Sequence, residues 1–594
     1  MKLPSQNLLL SLSLSASLAG CIADDEKPLD PKDEVPAEGA VADGMDEVDD
    51  VIKKFMRATC TGAAAVTIGF NNDPLLSRGY GWSAGAPTEN CGAMDGDSYF
   101  GDAVEPIHAD TPFRVGSNTK AITAAVMRVV VKQRLAEQGK PTDDEYLESL
   151  EVFDEANDLV SPALRRAILG NLAPSPGSCV LPEYGDSRVI ASGRTDPRVV
   201  DITLGHILGH KSGFPRGGNP VYHKLSAIRG HASAADVVAE EAALDAPGYA
   251  TTTLDDAVPG AHFMQRQTLE EYLIGNRDLC LNFNPGGDVP GGVDNYSNFA
   301  YGIVQHVAEY VSGRSYAANQ GEDDHADSLL AQFNDAYLGF DEGVESQYGI
   351  YHSQSLILQR DPAEPQYRAW DGESRVGEYA DDKRPYCVWD EDAGACDASA
   401  FLDEDVRFSW GWSKDEKVHT SFAGDGFSPG PGLIAAEMPL YYRFMQEFYV
   451  GGGGNNPTYG RPRAETPVTK TRWHIGELLG AHSTVAQFAG DTISYYVIPR
   501  DDDGELILDA LDEDDGSDPD GELDLAAFDT ILPTDSCKLP KGLNLAMAIN
   551  QVNDETCGAG TICSLRYMAL RDVVKEALCN VDWLKVNPSV TLDD

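Results

Sequence analysis

The chain has 594 residues, 42% hydrophobic and 24% charged, a balance that excludes a chain disordered throughout, a collagen-like repeat and a polytopic membrane protein. The formal net charge is -51, from 45 Lys and Arg against 96 Asp and Glu. Such a surface repels phosphate backbones, so no nucleic-acid partner is expected.

Lys2 is the only charge before Cys21, and the apolar stretch Leu8 to Leu18 is too short to span a bilayer as a stable helix. The pattern predicts a secretory signal peptide over residues 1–20. Its end, Leu18-Ala19-Gly20-Cys21, resembles the lipobox of bacterial lipoproteins. That resemblance implies cleavage before Cys21, lipid on its sulfur, and an exported protein held to the cell envelope by the lipid. Residues 21–49 are rich in Asp, Glu, Pro and Ala and read as a disordered acidic tether. Setting Cys21 aside, the 11 cysteines leave an even number, which in an exported chain reads as disulfides. Short spacing favours Cys60–Cys91, Cys387–Cys396 and Cys557–Cys563, although sequence cannot fix connectivity.

Further along, Ala63 to Phe70 is a β-rich run, Asn71-Asn72-Asp73-Pro74 is turn chemistry, and Leu75 to Trp82 returns as a second strand. Ala121 to Leu135 is helical in pattern, as are Phe299 to Val311, stopped by Ser312-Gly313, and Pro439 to Tyr449, stopped by a glycine run. Strands return at Val485 to Phe488, Thr492 to Pro499 and Leu543 to Ile549, and a helix runs from about Ser564 to Leu578. The order predicts an α+β fold: an antiparallel sheet flanked by helices, over residues 50–594, with a mostly helical insertion at about 121–450. An acidic hairpin insertion is expected at about 501–536. Its Asp518 to Asp524 stretch looks like part of a calcium loop, but the EF-hand register puts Gly516 first and Ala527 twelfth, so it reads as a plain acidic loop.

Three segments carry chemistry. In Thr111 to Lys120, Ser117 and Lys120 are three apart at a helix start and share a face, where Lys120 can reach the Ser117 hydroxyl. The bland reading makes Ser117 a helix cap and Lys120 a solvated lysine. In Asn295-Tyr296-Ser297-Asn298, Tyr296 is a candidate general base and Asn298 offers an amide to a ligand and to Lys120. In Trp473-His474-Ile475-Gly476, a cation followed by glycine beside a late strand can grip an anionic or amide substrate and let its backbone approach.

In this order the segments resemble the serine β-lactamase and penicillin-binding protein superfamily, whose signatures are SxxK, SDN and KTG. Tyr-x-Asn in second place is similar to the class C branch. Thr203 to Pro215, Tyr296 to Gly313 and Gly430 to Ile434 also look like that branch. The resemblance implies a β-lactamase/transpeptidase-like fold and a serine hydrolase without cofactor or metal, acting through an acyl-enzyme on an ester or amide. It makes Ser117 the nucleophile, gives the proton traffic to Lys120 and Tyr296, and assigns substrate binding to Asn298, His474 and Gly476. The oxyanion hole would be the backbone N–H groups of Ser117 and Glu477.

Ile475 departs from the pattern. The family commonly has Thr or Ser there, whose hydroxyl helps bind a carboxylate, and Ile cannot donate a hydrogen bond. A peptidoglycan DD-peptidase or β-lactamase, and a catalytically inactive surface-binding protein on the same fold, are the alternatives. Gly81-Trp82-Ser83-Ala84-Gly85 matches a nucleophile-elbow pattern, but a loop follows where a helix is needed, so Ser83 is set aside. His206 and His210 lie in an apolar stretch and read as packed or hydrogen-bonded rather than catalytic.

Overall fold

The two apolar runs at Ala63 and Leu543 pair with each other and form the middle of a six-stranded antiparallel sheet. The computed structural model describes residues 34–59, 61–70, 73–82, 106–170, 172–173, 195–214, 280–289, 295–314, 316, 328–338, 350–352, 388–390, 395–397, 432, 434–451, 459–465, 468–478, 481–501, 504–507, 533–550 and 562–587. Its strands are β1 (Ala37–Val41), β2 (Ala63–Phe70), β3 (Asp73–Gly81), β4 (Pro112–Arg114), β5 (Ile350–His352), β6 (Val388–Asp390), β7 (Ala395–Asp397), β8 (Ile434–Glu437), β9 (Arg472–Leu478), β10 (Ala481–Gln487), β11 (Thr492–Tyr496), β12 (Thr534–Lys538) and β13 (Leu543–Asn550). The helices are α1 (Asp46–Thr59), α2 (Thr119–Glu137), α3 (Asp144–Ser149), α4 (Pro162–Leu169), α5 (Leu204–Leu208), α6 (Asn298–Ser312), α7 (Leu329–Phe333), α8 (Met438–Glu447), α9 (Ile562–Asn580) and α10 (Trp583–Val586). The fold is α+β, with helices on both faces of an antiparallel sheet.

The main sheet runs β1-β3-β2-β13-β10-β9. Side chains alternate between its faces, and size decides what each face holds. Ala63, Ala65, Ala546 and Ala548 point to the front, where their small side chains let α8 lie close across β2 and β13. Ala64, Val66, Ile68, Leu545, Met547 and Ile549 point to the rear, into a core shared with α1, α9 and α10. Burying each large aliphatic chain there contributes about 1.5–3 kcal/mol. β2 and β13 are buried on both faces, so they read as continuous apolar runs rather than alternating ones.

Residues 37–49 are not a tether. β1 pairs along β3 from Ala37↔Tyr80 to Val41↔Leu76, and α1 begins at Asp46. An edge strand is held by backbone hydrogen bonds, so β1 forms with its middle side chains exposed. Gly39 sits there at φ 125°, and a Cβ on it would collide with the Ser77 carbonyl, so the position suits glycine. Val48, Val51, Ile52, Phe55 and Met56 recur at helical spacing in α1 and are buried in the rear core.

The stretch expected to be a helical insertion also supplies strands. β8 and β5 from this stretch join β4, which precedes it, in a three-stranded antiparallel sheet, and β4 leads the chain to Ser117. β11 and β12 flank the acidic segment as an antiparallel pair. The proposed calcium positions Gly516 and Ala527, and Ser83, lie outside the described residues. So does residue 21 with the amino end before residue 34. No described helix is long and apolar enough to cross a membrane.

Cys537 of β12 is bonded to Cys579 of α9, a pair that short spacing does not suggest. The three pairs expected from spacing fall on residues or side chains outside the described set. Closing a loop between cysteines 42 residues apart removes unfolded-chain entropy worth about 4 kcal/mol in the loop-closure model. The double variant Cys537→Ser, Cys579→Ser is therefore expected to lose about 2–4 kcal/mol of unfolding free energy in urea titration.

Candidate active site

The chain leaves β4, turns at Val115, and passes through a single 3-10 turn, Gly116–Asn118, into α2. Gly116 sits at φ 50°, a conformation that suits glycine. The turn is pinned on several sides. Val115 N–H donates to Ile434 O at 2.9 Å, Tyr441 Oη donates to Asn118 O at 2.8 Å, and Ile434 N–H donates to Thr119 Oγ1 at 3.3 Å. Ser117 is half-buried, whereas Val115, Gly116, Asn118, Thr119 and Lys120 are buried.

Neither bland reading of the first segment holds. Asn118, not Ser117, occupies the cap position of α2, and Lys120 is fully buried. Lys120 Nζ donates to Ser117 Oγ at 3.2 Å. The ammonium also lies 4.6 Å from the ring centroid of Tyr296 and 5.7 Å from that of Tyr301, inside cation–π range. The first two segments thus meet at Lys120. Asn298 is the first residue of α6, half-buried, and Ser297 caps that helix by accepting from Ala300 N–H at 3.1 Å. The amide that reaches the third segment belongs to Asn118.

His474 and Gly476 lie within β9 itself, the edge strand, on its front face. A Cβ on Gly476 would overlap the Val115 carbonyl and Ser483 Oγ, so only glycine lets the edge strand close on the Ser117 turn. A hydrogen-bond chain fastens the junction. Ser483 Oγ donates to Val115 O at 2.7 Å, Asn118 Nδ2 donates to Ser483 Oγ at 2.6 Å, and Asn118 Oδ1 meets His474 Nδ1 at 2.7 Å. Glu477 follows on the same strand, paired with His482.

Two expectations about the third segment change. His474 is not a cation at neutral pH: burial, and then the Lys120 ammonium, push its imidazole down to about 3. Ile475 packs with Trp473 against the rear core, so a hydroxyl at that position would lie on the face of β9 opposite His474.

Sequence reasoning missed four residues here. Asn118 stands inside the quoted first segment and was legible only as filler. Ser483 and Tyr459 carried no signal at all. His210 was read as packed, and it is packed, but against the site. Its ring lies 4.4 Å from Tyr296, 5.2 Å from Tyr301 and 5.7 Å from Tyr459, and its Nδ1 accepts from Ser297 N–H at 3.3 Å. Burial, then Lys120 and His474, hold its imidazole well below the usual range. His206 serves locally instead, exchanging hydrogen bonds with Thr203 at the start of α5.

Tyr459 stands edge-on to His474 at 5.1 Å. Arg128 Nε donates to its carbonyl at 3.2 Å, and the same guanidinium pairs with Asp144 and Glu148 at 2.6 Å each. Gly460 beside it packs directly on the backbone of α2, where a Cβ would overlap Ala125 N. Among the described residues, no group of His, Cys, Asp and Glu is placed to hold a metal ion.

No family model and no curated protein matches the chain. Among solved structures it is similar to a D-amino acid amidase from Ochrobactrum anthropi SV3, with 13% identity, 90% of this chain and 98% of that chain covered, and a TM-score of 0.36. It is also similar to a β-lactamase/D-alanine carboxypeptidase from Yersinia pestis, with 12% identity, 90% and 98% covered, and a TM-score of 0.34. A third is an octameric penicillin-binding protein homologue from Pyrococcus abyssi, with 13% identity, 90% and 77% covered, and a TM-score of 0.35. Scores this low carry no inference about the chemistry of this chain, which rests on its own side chains.

Two half-buried histidines, His474 and His482, set a pH dependence. His474 is held to about 3 and His482 to about 4, while both titrate near 6.5 when unfolded. Between those values the unfolded chain binds protons that the folded one refuses. This stability is present above about pH 6.5 and is lost as pH falls toward about 4. Each histidine contributes a slope of roughly 1.4 kcal/mol per pH unit in that window. Urea midpoints measured across it are expected to fall, and His482→Gln to flatten the decline.

Proposed function

We propose that the protein is an exported, lipid-anchored serine hydrolase that works through an acyl-enzyme on an ester or amide substrate. One observation carries the reading: the buried Lys120 ammonium reaches the half-accessible Ser117 hydroxyl at 3.2 Å, at the mouth of α2. Ser117 Oγ attacks the substrate carbonyl carbon while its proton passes to the Lys120–Tyr296 pair, which accepts it in the form that holds one proton fewer than ammonium plus phenol. The proton then goes to the departing alcohol or amine, and water releases the acyl group as an acid. The backbone N–H groups of Ser117 and Glu477 serve as oxyanion donors, each worth about 2.7–4 kcal/mol. Gly476 supports that role, because it brings the free edge of the sheet against the Ser117 turn.

The alternatives are weaker. An inert surface-binding protein has no use for a lysine buried against a serine hydroxyl, since burying an amine costs several kcal/mol. A DD-peptidase or β-lactamase needs a group that holds a substrate carboxylate, and an uncharged His474 is poorly suited to that. Export is supported by the Cys537–Cys579 bond, which belongs in an oxidising compartment. The anchor rests on the Leu18-Ala19-Gly20-Cys21 sequence. Cys21→Ser is expected to move the protein from the membrane fraction to the soluble fraction.

A fluorophosphonate probe is expected to label Ser117, and Ser117→Ala to abolish labelling. Lys120→Ala should lower the rate of labelling and of ester turnover about 100-fold or more. Adducts at Ser83 that persist in Ser117→Ala would overturn the mechanism. Short aryl esters should turn over faster than penicillins or D-Ala-D-Ala peptides, measured as kcat/KM.

A further inference from the structure

The hydrogen-bond chain beneath the nucleophile runs in one direction. Val115 O can only accept, so the single Ser483 hydroxyl proton is committed to it at 2.7 Å. Ser483 Oγ must then accept from Asn118, which places Nδ2 at 2.6 Å and turns Oδ1 toward His474. The reversed amide would set Oδ1 against Ser483 Oγ with no proton between them. Because Oδ1 cannot donate, His474 Nδ1 carries the ring proton across the 2.7 Å contact. A second proton on the ring is opposed by burial and by Lys120. Nε2 therefore keeps its lone pair, and among the described residues no donor reaches it.

We propose that Asn118 fixes His474 in the Nδ1–H tautomer, so that Nε2 receives a neutral hydrogen-bond donor from the substrate. The substrate class is then esters and amides with an amide N–H or hydroxyl near the scissile carbonyl, in preference to a carboxylate there. This deepens the serine-hydrolase reading and rests on it. A carboxylate oxygen facing the Nε2 lone pair is repelled, and an ammonium is opposed by the Lys120 charge that already acts on His474. Asn118 acts through His474 and is a positioning residue.

The test uses the full-length protein and a matched series of p-nitrophenyl esters that differ at one place: secondary amide, N-methyl amide and carboxylate. The secondary amide is expected to exceed its N-methyl analogue by about tenfold to a hundredfold in kcat/KM, the effect of one hydrogen bond to an acceptor otherwise left unmet. His474→Lys, which replaces the acceptor by a cation, should erase that preference and raise the carboxylate ester at least about tenfold relative to the amide. Nitrogen-15 NMR of the wild type at neutral pH should show Nδ1 protonated and Nε2 bare, and Asn118→Asp should bring a second proton onto the ring. Fluorophosphonate labelling of Ser117 is measured alongside in every variant. Absence of labelling in the wild type defeats the hydrolase reading itself. Labelling with equal use of the N–H and N-methyl substrates, or an Nε2–H tautomer or imidazolium at neutral pH, overturns this inference alone.

Discussion

The closure of edge strand β9 on the turn that carries Ser117 is the contact on which the site depends. Asn118 and His474 are 356 residues apart, yet their side chains are joined directly. Two features make the approach possible. Gly476 removes the one atom that would hold the strand away, and Ser483 supplies the hydroxyl that links the Val115 carbonyl to the Asn118 amide. Hydrogen bonds in such a buried chain are strengthened by low local dielectric, and leaving any member unpaired costs about 1–3 kcal/mol. The junction is therefore cooperative: a loss at Ser483 frees Asn118, and a freed Asn118 no longer orients His474.

A second constraint surrounds Lys120. The ammonium is buried among aromatic rings, and those rings must be held in place for it to remain there. Tyr296 is backed by His210, Tyr301 donates through its hydroxyl to Leu208 O at 3.2 Å, and Tyr459 stands between His210 and His474. Tyr459 is fixed in turn by Arg128, whose charge is balanced by Asp144 and Glu148 and joined by Arg461 at 2.8 Å from Glu148. A buried ion cluster adds little net stability, because desolvation offsets the attraction. Its directional bonds do fix one arrangement, here the height of the Tyr459–Gly460 turn against α2.

The elements legible in the sequence are those whose local signal agrees with their burial. β2 and β13 are apolar over most of their length, α2 carries a helical pattern without a breaker, and each is found within a few residues of where its pattern places it. β1 was illegible because its residues are those of a solvated tail, and only the open edge of β3 makes them a strand. The Ser117–Lys120 and Tyr296 segments were legible because spacing at a helix start is local. The polarity of His474 was not, since it depends on Asn118, Ser483 and Lys120 arriving from elsewhere in the chain. Ile475 failed for a simpler reason: the face to which a strand residue points is set by register, and register comes from pairing with β10.

Surface charge and site charge point the same way. With a net charge of -51, the molecule repels anions before they reach the site, over a screening length of about 8 Å at physiological salt. A site built to hold a carboxylate would have to overcome that repulsion with a local cation at its rim. Among the described residues, the cation that meets Ser117 is Lys120, which is buried, and the residue in the third segment is neutral. On the proposed reading, approach and recognition both disfavour anionic substrates and leave neutral ones unaffected. Under that reading, discrimination among neutral substrates falls to shape and hydrogen bonding at the polar atoms near Ser117, which is why the proposal turns on the tautomer of a single imidazole.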